Sequence, residues 1–437
     1  MMNLNKHDSV FYVKDMVITK TEFLQAVKAL SQQIYATPAQ RWALCFNESY
    51  PFMVTLLSLL VADKTPVLLP NYKPGTIIQF KDAFDAILSD IESIRSTPLS
   101  KQSNYKEGLS ASINSQQKIV FYTSGTTGTP QKIDRSLQSI KNEILTLEES
   151  FGNIIGNASI YSTVSHQHVY GLIFYILWPL FSGRCIHFPM LNHPEELQKI
   201  HQNESPNILI SNPSFLSRVA MDIAPQSPLF VFSSGSLLNE SLAKQLVQQS
   251  NIRPFEVLGS TESGGIAFRQ QCLSPDWQAL PKVSINVAPV TQQLRVQSPH
   301  FDSDEIILGD KIQLNPNGTF SLLGRVDRVV KIEGKKVCLT ELQEKTQEHP
   351  WIKEAYALPL ETHRQHIGIV VILNNTGHIA LTEQGKLLIK KNIQSWLAQF
   401  YDPIVIPKMI RYIDAFPINS QGKIVLQDMI ELFGAPT

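Results

Sequence analysis

The sequence predicts an α/β protein. A large N-terminal domain of layered strands and helices spans residues 1–326, and a smaller α+β domain spans residues 327–437. Three observations point to this. Near the N-terminus, apolar residues switch repeatedly between helical and strand-like spacing, which is the mark of βαβ units on a parallel sheet. A short apolar strand then runs into a loop of glycines and hydroxyls, with an amphipathic helix beyond it. Towards the C-terminus the tight alternation gives way to two strands flanking one long helix.

Phe23, Leu24, Val27, Leu30 and Ile34 recur at helical spacing and predict a helix over Thr21–Ile34. Trp42–Phe46 reads as a strand, Tyr50–Ala62 as a helix and Pro66–Leu69 as a second strand, completing a βαβ unit. Residues 97–117 are polar and read as a surface connection. Lys118–Tyr122 is a strand, Thr123–Pro130 a loop, and Leu137, Ile140, Ile144, Leu147 and Phe151 the stripe of a helix. Further βα alternation runs to about residue 260, and past Ser284 the chain turns strand-like, with Asp310–Leu314 and Thr319–Leu323. In the C-terminal part, Thr340 with Gln343 predicts a capping box opening a helix. His366–Leu373 reads as a strand, Leu381–Phe400 as a helix and Lys408–Ile413 as a strand.

Composition narrows the function class. The 437 residues are 43% hydrophobic and 17% charged, which supports packed cores and argues against disorder. Lys plus Arg and Asp plus Glu each number 38, so no net charge draws the whole protein to nucleic acid or an anionic membrane. Cys45, Cys185, Cys272 and Cys338 lie too far apart for zinc or CxxC chemistry and read as free buried thiols in a reducing compartment. The N-terminus lacks the apolar core of a signal peptide. The longest apolar runs, Phe52–Ala62 and Gly171–Phe181, fall short of the roughly 20 residues of a spanning helix. The expectation is a cytoplasmic protein with no membrane insertion and no nucleic-acid partner.

The segment Tyr122–Lys132 carries the clearest chemistry. Gly125 and Gly128 let backbone approach a phosphate chain, and Thr123, Ser124, Thr126, Thr127 and Thr129 offer hydroxyl donors. Lys132 adds a positive charge. A Walker A loop is excluded, because Pro130-Gln131-Lys132 stands where Gly-Lys-Ser/Thr is required. No GxGxxG fingerprint follows a strand, which disfavours a dinucleotide enzyme.

This loop resembles the signature of the adenylate-forming superfamily of acyl- and aryl-CoA ligases, adenylation domains and luciferases, and further motifs follow in that family's order. Leu258–Gly264 resembles the second core motif, with Gly259 and Ser260 in the nucleotide site. The resemblance implies that Thr261 contacts the α-phosphate and that Glu262 holds Mg²⁺, a hard cation suited to carboxylate oxygen. Taken alone, Glu262 would read as a solvated loop residue. Asp310, in Leu308-Gly-Asp310, and Arg325, in the segment Gly324–Lys336, resemble the ribose contacts. Asp327 resembles the hinge between the domains, and Lys331 and Gly334 the loop that admits a pantetheine arm. Lys423, in Pro417–Lys423, resembles the catalytic lysine. Leu258 stands where an aromatic usually stacks on adenine, and the large domain is shorter than is typical.

His166–Gly171 resembles the motif lining the acid pocket. Relatives that activate amino acids carry an Asp where this chain has His168, so a cationic amine substrate is disfavoured; a satisfied core histidine is the other reading of His168. Gly235 and Ser236, in Ser234–Leu238, resemble another wall of the site. Together the resemblances imply ATP and Mg²⁺, a small aromatic or medium-length carboxylic acid, and CoA or the phosphopantetheine of an acyl carrier protein as acceptor. The chain also resembles the short AMP-ligases of aryl-polyene and pigment pathways, where the acceptor is a carrier protein. A ligase with a non-thiol acceptor, or a non-catalytic nucleotide-binding protein that keeps the fold, are the alternatives.

Overall fold

The computed structural model describes residues 10–14, 16–99, 113–123, 131–201, 206–219, 229–325, 328–332, 335–361, 365–401, 403–419 and 424–434. The chain packs as two compact units. The first takes in the chain up to Ile285 together with Val296–Ile306, and the second takes in Asn286–Arg295 and Ile307–Asn419. The packing boundary therefore falls before the sequence boundary at residues 326/327. The strands Ser284–Val287, Gln293–Gln297, Ile306–Leu314 and Phe320–Arg325 form one sheet that lies largely in the second unit.

The first unit is α/β, built on two sheets. In the five-stranded sheet, Ala86–Ser89, Arg41–Cys45, Thr65–Leu68 and Lys118–Thr123 run parallel, and Gln131–Ser136 closes the edge antiparallel. The expected βαβ unit is present as Arg41–Cys45, helix Ser49–Val61 and Thr65–Leu68. That helix buries every residue from Phe52 to Leu60, which makes it a core element. The expected strand–loop–helix around the glycine loop needs a correction. A strand, Gln131–Ser136, intervenes, and the helix begins only at Leu137. Its burial rises along the strand, from exposed Gln131 and Lys132 to buried Arg135 and Ser136, instead of alternating, so it carries no clear period of two beside the helical stripe beyond it.

The nine-stranded sheet has a parallel centre of Ser159–Ser162, Asn207–Ser211, Leu229–Ser233 and Ile252–Ser260, from which Gly264–Arg269 folds back antiparallel. All four parallel strands end in serine, so their carboxyl edge is hydroxyl-rich. Such an edge is where open α/β sheets bind ligands. The helix Leu137–Ile155 covers one face, with Phe151 packed edge-on against Phe232, Phe255 and Phe268 at centroid distances of 4.9–5.5 Å. Helix Glu240–Ser250 covers the other face through Ala243 and Leu246, against Leu209 and Val231.

The second unit adds a hairpin, Val329–Ile332 with Lys335–Cys338, and a three-stranded sheet of Ile352–Glu361, Gln365–Leu373 and Met409–Tyr412. Two local expectations are corrected here. The helix Leu339–Gln347 has Cys338 at its N-cap with no side-chain cap, so Thr340 lies inside the first turn and forms no capping box with Gln343. The long helix begins early, at Asn375, where the Asn374 side chain accepts from Gly377 N–H, and it is broken at Gly385. Among the four cysteines only Cys45 is buried, its thiol pushed up to about 12 by burial; Cys185 and Cys338 are half-buried and Cys272 is exposed, against the expectation of buried thiols. Among the described residues no helix is long and apolar enough to cross a membrane.

Candidate active site

The turn between strands Ile252–Ser260 and Gly264–Arg269 presents Thr261 and Glu262, both half-buried. Its shape is dictated by glycine and serine. Gly259 lies against the opposing strand so closely that a Cβ there would meet the Gly264 carbonyl oxygen at 2.3 Å. Gly264 has φ of 65°, in the left-handed region, and a Cβ would strike the Glu143 carboxylate at 2.5 Å. Ser260 N–H donates to Ser263 Oγ at 3.1 Å and Ser263 N–H donates to Ser260 Oγ at 3.2 Å, tying the turn across its base.

Three buried ionisable groups brace this turn. Arg135 Nη2 donates to Glu143 Oε2 at 2.8 Å, with the side chains 1% and 2% exposed. Arg135 Nη1 donates to the Thr261 carbonyl at 3.2 Å, and Gly265 N–H donates to Glu143 Oε1 at 2.8 Å. His300 contacts the Gly265 carbonyl through Nδ1 at 2.9 Å and Thr146 Oγ1 through Nε2 at 3.0 Å. A carbonyl can only accept, so Nδ1 carries the proton. Burial holds this histidine below its usual range, which keeps the ring neutral and leaves Nε2 to accept from the Thr146 hydroxyl. None of Arg135, Glu143 and His300 stood out in the sequence. The available signal was Glu143, a carboxylate set on the apolar stripe between Ile140 and Leu147.

Of the glycine loop, Thr123 is the last residue of its strand and is half-buried; Ser124, Gly125, Thr126, Thr127 and Gly128 lie outside the described residues. Lys132 is 54% exposed and ion-paired with Asp134 at 3.1 Å. It pairs with Tyr122 in the ladder, and Arg135 lies three positions further on, an odd step, so the two side chains leave opposite faces of one strand. The cation that reaches the Thr261 turn is Arg135.

The acid-pocket motif holds two histidines in different settings. His166 is 1% exposed, accepting from Ser49 Oγ at Nδ1 (2.8 Å) and donating from Nε2 to the Phe46 carbonyl (3.1 Å). Burial lowers its pKa to about 4, so it is a neutral structural tie. His168 is half-buried at the N-cap of a short turn, Val169–Gly171. Nearby on the carboxyl edge, Thr163 Oγ1 and Ser211 Oγ lie 2.9 Å apart, and Ser233 Oγ and Gln167 Oε1 are buried without a hydrogen-bond partner. Ser234 Oγ donates to the Val257 carbonyl at 2.9 Å, anchoring the wall segment whose Gly235 and Ser236 are exposed.

In the second unit, Asp310 and Arg325 are direct partners across neighbouring strands, with Arg325 Nη1 3.4 Å from Asp310 Oδ2. Fifteen residues apart in sequence, these two motif residues share one sheet position. Asp327, Gly334 and Lys423 lie outside the described residues, and of Lys331 only the backbone, in Val329–Ile332, is described. Among the described residues no group of three or more His, Cys, Asp or Glu could hold a metal. A lone carboxylate on a hydroxyl-rich turn nevertheless suits Mg²⁺ that arrives with phosphates, since that ion keeps several waters and uses one or two carboxylates.

Residues 86–299 match the AMP-binding enzyme family. Bacitracin synthase 3 of Bacillus licheniformis is 22% identical over 360 residues, and the probable CoA ligase CCL5 of Humulus lupulus is 22% identical over 356 residues. These alignments cover 71% and 72% of the chain but only 5% and 63% of the relatives, so the chain spans less than two thirds of either. The fold is that of O-succinylbenzoate coenzyme A synthetase (MenE) from Bacillus subtilis, solved with ATP and magnesium. The TM-score is 0.80 at 15% identity, over 98% of this chain and 97% of that one. The matched segment takes in the core turn around Thr261 and Glu262 and the fold of the whole chain is that of a coenzyme A synthetase, similarities that support the adenylate-forming superfamily of AMP-binding enzymes.

Proposed function

We propose that the protein uses ATP to activate a small carboxylic acid, aromatic or of medium length, as an acyl-adenylate, and then passes the acyl group to a phosphopantetheine thiol of CoA or a carrier protein. The observation that carries this reading is the braced turn of residues 259–265, which presents a hydroxyl and a carboxylate side by side at the serine-rich carboxyl edge of a parallel sheet. The match to AMP-binding enzymes supports the adenylation half more strongly than the choice of acid or acceptor.

In this reading a carboxylate oxygen attacks the α-phosphorus, the bond to the bridging oxygen breaks and pyrophosphate leaves. The Thr261 hydroxyl bonds the α-phosphate, and the hydroxyls of Thr123–Thr127 hold the departing phosphates. Glu262 would hold Mg²⁺, which supplies charge neutralisation along the phosphate chain when bound. Lys423 orients carboxylate and phosphate and offsets the charge that grows between them. Asp310 and Arg325 take the ribose. The domain then pivots at Asp327, Lys423 leaves, and the loop containing Lys331 and Gly334 lets a thiolate reach the acyl carbon as AMP departs. Buried Ser233 and Gln167 oxygens favour an acid pocket with a few fixed polar contacts in an apolar wall.

Pyrophosphate exchange across a panel of acids, followed by mass spectrometry with CoA, holo carrier protein or an amine acceptor, tests the reading. Exchange with a neutral aryl or acyl acid and a thioester product are expected. Exchange without a thioester would move the assignment to a ligase with a non-thiol acceptor, and no exchange to a binding protein. Asp327→Pro should slow thioester formation more than exchange; equal rates in variant and wild type would remove Asp327 as the pivot.

A further inference from the structure

We propose that the buried Arg135–Glu143 pair is a positioning device for the nucleotide site, a role that rests on the adenylation reading above. It locks the Thr261–Glu262 turn to the strand that leaves the glycine loop, so that phosphate contacts and the metal-holding carboxylate share one fixed frame.

Four features converge on this role. First, the pair is placed at the junction. Arg135 lies on the strand Gln131–Ser136 that follows the glycine loop, and Glu143 lies two turns into the helix that strand feeds. Second, besides a long bond from Arg135 Nε to Ser139 Oγ at 3.4 Å, its hydrogen bonds go to backbone atoms that bracket the turn, the Thr261 carbonyl at 3.2 Å and the Gly265 N–H at 2.8 Å. The Thr261 carbonyl lies in the turn beyond the last ladder pair, and Gly265 lies beside the register shift of the two flanking strands between Leu258 and Gly259, so partners outside the ladder satisfy them. Third, the carboxylate fills the volume a Cβ on Gly264 would take, so the pair and the left-handed glycine fit as one unit. Fourth, the energetics favour an orienting role. A buried ion pair adds little stability over apolar residues of the same volume, so its worth lies in the fork of Arg135, which fixes direction as well as distance.

The pair touches neither reacting atom in this description. It acts through Thr261 and Glu262, as partners behind a metal ligand act by holding that ligand's orientation; disturbing such partners costs about 10–100-fold in metal affinity or activity. Lys132 cannot substitute for it, since it leaves the opposite face of the same strand.

The decisive variant is the double replacement Arg135→Met with Glu143→Met, which removes both charges together and leaves no unpaired ion in the core. Glu143→Gln is its companion, keeping shape while weakening the carboxylate's contacts. Binding of ATP to the full chain is measured by calorimetry with Mg²⁺ and with EDTA, alongside pyrophosphate exchange over a Mg²⁺ titration and acyl transfer from a supplied acyl-adenylate. The expected result is a folded double variant whose gain in ATP affinity from Mg²⁺ is reduced about 10-fold or more. Its half-maximal Mg²⁺ concentration in exchange rises correspondingly, and acyl transfer stays within about 3-fold of wild type. A double variant with wild-type Mg²⁺ dependence in both binding and exchange overturns the proposal and leaves the pair a packing feature, as does an equal loss of adenylation and acyl transfer. The calorimetric arm decides the pair's role even if no acid supports exchange, an outcome that would count against the activity and not against the device.

Discussion

Two arginine–carboxylate pairs lie in motif regions of this chain, and they are built in opposite ways. In the first unit, Arg135 and Glu143 meet at 2.8 Å with side chains 1% and 2% exposed. In the second, Arg325 and Asp310 meet at 3.4 Å with side chains 43% and 19% exposed. Losing one partner of a buried pair strands a charge in the core, whereas water screens what remains of an exposed pair. The first pair is therefore scaffold. The second is a surface contact whose groups solvent already reaches, and which a ligand's hydroxyls can engage without stripping a buried charge.

That contrast can be broken by measurement. The largest effect is expected from Arg135→Met alone, which should cost about 3–5 kcal/mol of stability by leaving Glu143 buried and unpaired. A chemical-denaturation midpoint within error of wild type would remove the distinction between the pairs. Next comes Lys423→Ala. It should lower pyrophosphate exchange by about 10²–10³-fold, the range seen when one preorganised transition-state donor is lost, and spare acyl transfer from a supplied adenylate. Loss of both half-reactions together would break the idea that the second unit presents different groups in turn.

A third effect follows from His166, another buried group of the first unit, whose pKa in the folded state is lowered to about 4. Above pH 6.5 folded and unfolded chains both carry it neutral, and it contributes no pH dependence. As the pH falls from 6.5 to 4 the unfolded chain takes up a proton that the folded chain refuses, so stability drops, by an amount on the order of 3 kcal/mol for this shift. His166→Gln should flatten denaturation midpoints across that window. An unchanged slope would assign the acid sensitivity to other groups. The smallest effect belongs to Arg325→Met, which should change stability by less than about 1 kcal/mol and raise the KM for ATP; a stability loss as large as that of Arg135→Met would show that exposure does not separate the two pairs.

The fold class and the motif order were legible in the sequence, because apolar spacing and glycine placement are local signals. Strand Arg41–Cys45, helix Ser49–Val61 and strand Thr65–Leu68 lie within a residue of their expected bounds. The strand Gln131–Ser136 was not legible, since Ile133 is its one apolar residue and the residues it buries, Arg135 and Ser136, are polar. Nor was the brace of Arg135, Glu143 and His300. Its members are 8 and 157 residues apart in sequence, and each reads as an ordinary polar residue until the fold brings them to one turn. The capping box at Thr340 failed because a good local pattern fell within the first turn of a helix that starts directly after the preceding hairpin.

The two faces of strand Gln131–Ser136 place a parity rule on the glycine loop. Arg135 points into the core and Lys132 into solvent because this strand pairs in one register with Lys118–Thr123. A slip by a single residue would exchange the faces of Arg135 and Lys132, turning the guanidinium away from Glu143 and the lysine towards it. Length changes between Thr123 and Gln131 that alter the pairing therefore keep Arg135 facing inward only in even steps, a constraint separate from what the loop itself binds.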